Sequence, residues 1–282
     1  MDKPNPGSLP SAVHLHNARA WDTLARRGVG LTRPASEEEF RNPLAAVDAC
    51  SWLGDSIRGQ RVLCLAAGGG WQSALYAAAG ARVTVVDISA EMLALDRAVA
   101  AQRGLKIRLL QASMDRLPML QPAEFDLVVQ PVSTCYLPEV QPVFCEVARV
   151  TRPGGLYISQ HKTPTSLQTT LQPEQDASGQ VDLKQGSQKM VTYQLSEPYY
   201  RRGPLPAAGP GRLREAGTRE FLHRWEELVG GICRAGFAIE DLVEPMHAER
   251  TAACGSFGHR ATYVAPYVRI KARRQGERVL DV

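Results

Sequence analysis

The sequence predicts an α/β fold in which a mostly parallel sheet is covered on both faces by helices, and three observations carry that prediction. Two short apolar runs, Val62 to Ala67 and Val83 to Val86, have the length and composition of strands buried on both faces. Three glycines, Gly68, Gly69 and Gly70, separate them, followed by a helix-compatible segment from Trp71 to Ala79. The second run ends on an acid, Asp87, 19 residues after Gly68. A glycine turn lets the backbone approach a ligand closely, and the helix behind it offers unpaired N–H groups. An acid at the tip of the next strand can accept hydrogen bonds from two ribose hydroxyls. The stretch reads as a nucleoside-binding βαβ unit.

The remaining elements fall around this unit. Residues 1–12, rich in Pro, Ser and Gly, read as a disordered N-terminus. Residues 13–60 read as cap helices, one from about Val13 to Arg27 and a second from about Glu37 to Leu53. Residues 61–160 form the core. Its further strands are predicted at Leu105 to Leu110, Phe125 to Gln130 and Tyr157 to Gln160, with a helix over Pro138 to Val150. Residues 161–217 are the least regular part, holding the loop-like LQPEQDASGQ and YYRRGPLPAAGPG stretches. An excursion at the carboxyl end of such a sheet is where substrate-covering elements belong. Residues 218–282 complete the same domain. They hold a helix from Thr218 to Ala235 with Gly236 as its stop, then strands at Phe237 to Val243 and Ala261 to Ile270.

Composition sets limits. At 282 residues and 44% hydrophobic, the chain has enough apolar material for one sizeable core. No run of 18 apolar residues occurs, so no membrane span is expected. The opening MDKPNPGSLPSAVHLHN lacks the apolar centre of a secretion signal. Six cysteines (Cys50, Cys64, Cys135, Cys145, Cys233 and Cys254) form no CxxC pair and mostly lie in apolar segments. Reduced, buried thiols in a cytoplasmic protein are therefore expected, in place of disulfides or zinc. The net charge is +4. Arg269, Lys271, Arg273, Arg274 and Arg278 make a basic C-terminal strip interrupted by Glu277 and Asp281. Strong nucleic-acid binding comes with a wider basic field, so nucleic acid is not the expected partner.

Two ligand classes share the βαβ design. A dinucleotide site needs G-x-G-x-x-G/A, with the helix N-terminus facing a pyrophosphate. Here Ser73 stands at the third place and a bulky Trp71 lies beside the turn. Val62-Leu63-Cys64-Leu65-Ala66-Ala67-Gly68-Gly69-Gly70 instead resembles the V-L-D-L-G-x-G-x-G motif of the class I S-adenosylmethionine-dependent methyltransferases. Gln111-Ala112-Ser113-Met114-Asp115-Arg116-Leu117-Pro118 resembles that family's G-D-A-x-x-L-P segment. Phe125-Asp126-Leu127-Val128-Val129-Gln130 resembles its F-D-x-V-x strand, and Thr151-Arg152-Pro153-Gly154-Gly155-Leu156 its L-R-P-G-G-x-L turn. The motifs occur in the family's order over residues 61–160. The likeness is nearest to the small-molecule methyltransferases of quinone and other metabolite biosynthesis, and it is loose over residues 161–282.

The resemblance implies a Rossmann-like, doubly wound sheet of seven strands, mostly parallel, with an antiparallel last strand. It implies S-adenosyl-L-methionine as methyl donor and a small-molecule acceptor. Ala66, Ala67, Gly68 and Gly70 would form the donor turn, and Asp87 would hold the ribose hydroxyls. Ile88 and Met92 would sandwich the adenine, Ser113 and Met114 would meet its edge, and Gln130 would lie below the methionine moiety. Ser133, Tyr136, Tyr199 and Tyr200 are the expected acceptor-pocket residues. Three departures bear on the methionine and adenine ends. Ala66 replaces the usual first glycine, which is allowed if its dihedrals stay in the β region. Cys64 replaces an acid that often helps hold the ammonium group, and Ser113 replaces the usual aspartate. His16, Trp21 or Arg33 from the cap are candidates to supply the missing contacts, Arg33 by pairing with the carboxylate.

Methyl transfer is an in-line displacement that needs mainly alignment and an acceptor lone pair. No metal is expected. A hydroxyl acceptor also needs a general base, and His161, directly after the predicted fifth strand, is the candidate. His223, His247 and Cys135 read as structural. The Gln130-Pro131-Val132-Ser133 stretch does not match the D/N-P-P-Y/F/W loop of DNA amino-methyltransferases. Two other classes remain open: an NAD(P)-dependent oxidoreductase on the same βαβ unit, and a non-catalytic S-adenosylmethionine-binding protein.

Overall fold

The computed structural model describes residues 11–172, 192–207 and 214–276. Three helices open the chain: α1 (Ala12–Arg27), α2 (Glu37–Arg41) and α3 (Pro43–Val47). The core then runs β1 (Arg61–Leu65), α4 (Gln72–Ala78), β2 (Arg82–Asp87), α5 (Ala90–Arg103), β3 (Ile107–Gln111), β4 (Phe125–Gln130), α6 (Gln141–Val150) and β5 (Thr151–Lys162). Next come α7 (Pro164–Gln168), β6 (Thr169–Gln172), β7 (Thr192–Leu195), α8 (Trp225–Arg234), β8 (Phe237–Val243), α9 (Phe257–Ala261) and β9 (Tyr267–Arg274). Seven strands form one sheet in the order β3-β2-β1-β4-β5-β9-β8. β1 to β5 are mutually parallel, and β9 pairs antiparallel with both β5 and β8. The last strand is thus the antiparallel one. β6 and β7 form a separate antiparallel pair.

The continuous apolar runs follow from burial on both faces. Side chains alternate along β1, so Leu63 and Leu65 pack with Phe144 and Val147 of α6 and Leu228 and Ile232 of α8. Val62 and Cys64 face the other way, against Tyr76 of α4, Leu93 of α5 and the flank of α3. Leu63, Cys64, Leu75, Phe144 and Tyr157 are wholly inaccessible.

Several boundaries differ from expectation, each for a local reason. Ser11 caps α1, so order begins before Val13; residues 1–10 lie outside the described residues. The helix expected over Glu37 to Leu53 is two short ones, because Pro43 cannot continue a helix from α2 and instead starts α3 behind an Asn42 cap. β5 is longer than the predicted Tyr157 to Gln160, absorbing the RPGG segment through a register shift opposite Phe125 and Leu127. A Cβ on Gly155 would lie 2.8 Å from Thr151 Cγ2 and 2.9 Å from a backbone oxygen, so only glycine fits there.

The helix expected from Thr218 starts only at Trp225. Residues 218–224 run extended, with Phe221 N–H donating to Cys135 O at 2.7 Å. Ala261 ends a helix, and the final strand begins after Pro266, at Tyr267. Residues 161–217, expected to be irregular, hold α7, β6 and β7; part of LQPEQDASGQ lies outside the described residues. All six cysteines are free thiols, but only Cys64 and Cys135 are buried, while Cys145, Cys233 and Cys254 are exposed. Among the described residues no helix is long and apolar enough to cross a membrane.

The described part of the basic strip lies on β9, and its side chains are ion-paired or hydrogen-bonded. Arg269 Nε donates to Gln160 Oε1 at 2.6 Å, and Lys271 and Arg273 flank Glu240. Arg274 Nε donates to Ala148 O at 3.0 Å; Arg278 lies outside the described residues.

Asp126 ties three strands at the end remote from the glycine turn. Its carboxylate accepts from Arg61 N–H at 2.8 Å, from the Arg61 guanidinium at 3.1 Å, and from Arg152 Nε at 2.6 Å. The hydrogen bonds from Arg61, opposed by partial burial, hold this carboxyl well below the usual carboxylate range. A depressed folded-state pKa confers stability above the unfolded value of about 3.9, and that stability is lost as pH falls. Denaturation midpoints measured between about pH 3 and pH 6 should therefore drop on acidification, with a shallower slope in Asp126→Asn. The substitution should cost roughly 1–3 kcal/mol at neutral pH.

Candidate functional site

The glycine turn leaves β1 at the carboxyl end of the sheet and is fixed by steric closeness. A Cβ on Gly68 would sit 2.7 Å from Met92 Cβ and 2.9 Å from Asp87 Oδ2. Gly69 and Gly70 take positive φ, 118° and 75°. Ala66 also has positive φ, 51°, contrary to the expected β-region dihedrals. An L-residue there carries roughly 1–2 kcal/mol of strain. The fold accepts it because Ala66 N–H is tied to Val86 O at 2.7 Å.

A carboxylate from α5 occupies the turn's N–H groups. Asp96, fully buried, accepts from Gly69 N–H at 3.0 Å and Gly70 N–H at 3.1 Å, and also from the Ser73 hydroxyl. Burial pushes its carboxyl up to about 6 against the pull of these donors. The donors that a pyrophosphate would use are therefore already satisfied by the protein.

Asp87 lies at the tip of β2, 8% exposed. Its Oδ2 accepts from Gly68 N–H and its Oδ1 from Ser89 N–H, both at 2.9 Å. Burial raises its pKa, while the N–H groups of Ser89, Gly68 and Ile88 favour the charged form. Each carboxylate oxygen carries two lone pairs, so both keep capacity for a ribose hydroxyl.

These residues open onto a cavity of about 440 Å³, within the size range of small-molecule sites. One half is lined by Ala66, Ala67, Gly68, Asp87, Ile88 and Met92, together with Ala112, Ser113 and Met114. Gln72, Trp71 and Arg33 border the same half. Gln72 Oε1 is shut from solvent and has no hydrogen-bond partner. The other half is walled by Trp21, Tyr136 and Tyr267, with Val132, Ser133 and Glu215. Trp21 meets Tyr136 edge-on with ring centroids 5.5 Å apart.

Helix α1 closes the cavity and is anchored by polar side chains. Buried Asn17 donates to Tyr136 O at 2.8 Å and to Arg219 O at 3.0 Å, and accepts from Arg219 N–H at 2.8 Å. Asp22 Oδ1 accepts from the Ser89 hydroxyl at 2.6 Å and from Glu91 N–H at 3.2 Å, at the N-terminus of α5. His14 Nε2 lies 3.2 Å from Asp115 Oδ2.

Glu215 joins a buried charge cluster behind this aromatic half. Its Oε2 accepts from the Tyr136 hydroxyl and from Lys162 Nζ, each at 2.7 Å. Lys162 Nζ also donates to Glu220 Oε1 at 2.9 Å, and Arg214 Nε to Glu220 Oε2 at 2.8 Å. Burial, with Glu215 nearby, pushes Glu220 up to about 7. Burial opposes the charge on Glu215 too, but Lys162 and the Tyr136 hydroxyl hold its carboxyl below the ordinary range.

Most expected site residues thus converge, with four exceptions. His161 does not line the cavity. β5 continues past it to Lys162, and its register partner is Val268. The ring is fully buried, with Nδ1 2.9 Å from Thr134 Oγ1 and Nε2 2.8 Å from Ser159 Oγ. Burial pulls its pKa down to about 3, and both nitrogens are engaged, so it cannot serve as the general base. Gln130 lies one layer behind the wall, donating to Ser133 Oγ at 2.9 Å and to Met114 Sδ at 3.2 Å, and accepting from the Tyr157 hydroxyl.

Tyr199 and Tyr200 stand on the surface beside the start of α8, edge-on to each other, with Arg224 over the Tyr200 ring. Of the cap candidates, Trp21 and Arg33 line the cavity, Arg33 bonding Glu39 at 3.2 Å; His16 instead contacts Gly217 O at 2.8 Å. His223 Nε2 reaches Thr134 O and Leu137 O, His247 stacks against Phe257 and Tyr267, and burial raises the Cys135 thiol well above its usual value. Sequence reasoning missed Asn17, Gln72, Asp96, Glu215 and Tyr267. The partners of Asn17 and Glu215 are remote in the chain, and Asp96, Gln72 and Tyr267 gain their place only from how the turn, α5 and β9 pack.

Residues 63–159 match a family model described as a methyltransferase domain. A Bacillus subtilis protein described as the uncharacterized methyltransferase YbaJ is 32% identical over 246 residues, covering 83% of this chain and 91% of that protein. Among solved structures, an S-adenosylmethionine-dependent methyltransferase from Mesorhizobium loti matches with a TM-score of 0.61 at 22% identity, over 83% of this chain and 100% of that one. The geranyl diphosphate C-methyltransferase of Streptomyces coelicolor, solved with Mg2+, geranyl diphosphate and S-adenosyl-L-homocysteine, matches with a TM-score of 0.60 at 13% identity, over 95% and 100%. At these identities the two structures share the fold.

Two substitutions test the turn. Ala66→Gly relieves the left-handed alanine but adds unfolded-state freedom, so a net gain of up to about 1 kcal/mol is expected. The melting temperature should rise by roughly 2–4 °C. Asp96→Ala strands two backbone N–H groups and a hydroxyl and should cost about 3 kcal/mol or more, read as a lowered denaturation midpoint.

Proposed function

The chain belongs to the class I S-adenosylmethionine-dependent methyltransferases, and on that premise we propose that it moves the donor's methyl group to a small-molecule acceptor held in the same cavity. The observation that carries the reading is the cavity's two-part build. A nucleoside half formed by Asp87, Ile88, Met92 and Ser113 opens directly onto an aromatic half formed by Trp21, Tyr136 and Tyr267. The donor's ribose belongs on Asp87, whose two oxygens each retain a lone pair. Its adenine belongs between Ile88 and Met92 on one side and Ala112 to Met114 on the other. The methionine end then lies along Ala66 to Gly68, beside the unpartnered Gln72 oxygen.

The enclosure supports a small acceptor. The aromatic half is lined by α1 and by residues from 131–137 and Glu215, a wall that suits a compact molecule. The nicotinamide alternative loses its main support at Asp96. A carboxylate already caps Gly69 and Gly70, and a pyrophosphate would meet a negative group where it needs donors.

Calorimetric titration with S-adenosylhomocysteine tests the reading. Micromolar affinity is expected, about −8 kcal/mol, with NAD giving no heat. In Asp87→Ala the affinity should fall at least about tenfold, since hydrogen bonds to a charged group are lost. NAD binding without S-adenosylhomocysteine binding would return the site to the oxidoreductases.

A further inference from the structure

The acceptor half of the cavity has an unusual polar wall. Glu215 and Tyr136 face it together, and the hydroxyl proton of Tyr136 is committed to Glu215 Oε2 at 2.7 Å. What the pair presents to a ligand is lone pairs. The donor behind them, Lys162 Nζ, is 4% exposed and spent on Glu215 and Glu220. Ser133 donates to Pro131 O at 3.0 Å and accepts from Gln130. A ligand that satisfies Glu215 and Tyr136 must bring its own proton.

The charges around the wall are paired. Among the described residues, Lys162 lies between Glu215 and Glu220, and Arg214 closes on Glu220. The Glu215 carboxylate already has its counter-ion in Lys162, so it does not call for a cationic ligand. The flanking surfaces are the faces and edges of Trp21, Tyr136 and Tyr267, which suit a flat ring.

We propose that Glu215 takes the proton of the methyl acceptor, and that the acceptor is an uncharged molecule bearing a hydroxyl on a flat ring. The proposal rests on the methyltransferase reading above. In the step it describes, the acceptor O–H proton passes to a Glu215 carboxylate oxygen. The oxygen lone pair forms the new O–C bond to the methyl carbon, and the C–S bond pair returns to sulfur. The products are a methyl ether, neutral S-adenosylhomocysteine and one proton, which Glu215 holds only in passing because Lys162 and the Tyr136 hydroxyl favour its charged form. Glu220, one lysine ammonium away, provides a second site for that proton. Tyr136 acts as a positioning residue, since its hydroxyl fixes the carboxylate toward the cavity.

Phenol, anisole and aniline distinguish the possibilities as minimal probes. Each is titrated into the full chain saturated with S-adenosylhomocysteine, in wild type, Glu215→Ala and Glu215→Gln. Phenol should bind at least about tenfold more tightly than anisole, the usual scale for a hydrogen bond to a charged group. That preference should vanish in Glu215→Ala and shrink part-way in Glu215→Gln, which keeps an acceptor oxygen without the charge. S-adenosylhomocysteine affinity, equal in all three proteins, shows that each is folded and its donor half intact. Equal binding of phenol and anisole, a preference for aniline, a preference that survives in Glu215→Ala, or no binding of phenol would each overturn the proposal. Failure of S-adenosylhomocysteine itself to bind wild type would instead strike the methyltransferase reading.

Discussion

The whole site hangs on the way Asp96 holds the glycine turn. Three glycines in sequence give the backbone freedom, and freedom alone does not make a binding surface. Asp96, reaching across from the second turn of α5, takes up the Gly69 and Gly70 N–H groups and the Ser73 hydroxyl. That contact fixes the start of α4, presses Gly68 against Met92, and thereby sets the distance from the turn to Asp87. Asp87, the start of α5 and the turn become one piece because a single buried carboxylate joins α5 to the loop after β1. It also decides chemistry, since the turn's donors face inward to Asp96 and not outward to a phosphate.

Around that piece the protein builds a cover by a different route. α1 and residues 214–223 touch the core through polar side chains, chiefly Asn17, Asp22, Glu215 and Glu220. Hydrogen bonds add direction to the apolar packing of Trp21 and Leu222 in the same seam. Asn17 uses its amide N–H groups and its carbonyl on two segments at once, so α1 can sit in one position only. Tyr136 is the common point. Its carbonyl holds Asn17, its ring meets Trp21, and its hydroxyl engages Glu215. The short turn after β4 therefore couples the cover to the acceptor half, next to the place where the reacting methyl would lie.

What the sequence made legible follows from how local each feature is. The strand-turn-helix-strand order, the glycine turn and Asp87 are written in contiguous residues, and each is dictated by backbone geometry that a short stretch can reveal. The cover was not legible, because its contacts join residues far apart: Asn17 to Arg219 across 202 positions, Tyr136 to Glu215 across 79. His161 was misplaced for a related reason. The predicted strand stopped at Gln160, but β9 returns antiparallel and pairs through Lys162, which turns the histidine into the core. The helix predicted from Thr218 failed because residues 218–224 gain more by running extended over Cys135, burying Phe221 and Leu222, than by adding two turns to an exposed helix end. Ala66 shows the opposite limit. Its type was visible, yet its left-handed dihedral is set by the tie to Val86 and the approach of the turn, which one sequence cannot show.

The charge cluster then explains why a lysine can lie buried at the end of a central strand. Lys162 alone would be costly there, since desolvating an ammonium outweighs any single contact. With Glu215 and Glu220 on one side and Arg214 closing the chain, its charge is matched and its hydrogen bonds are made. The same matching anchors residues 214–220 against β5, so the segment that carries Glu215 is positioned by the ion that neutralises it. Removing Lys162 would free a carboxylate and release the wall it belongs to. Positioning and charge state are one property here, since Lys162 both neutralises Glu215 and holds its segment against β5.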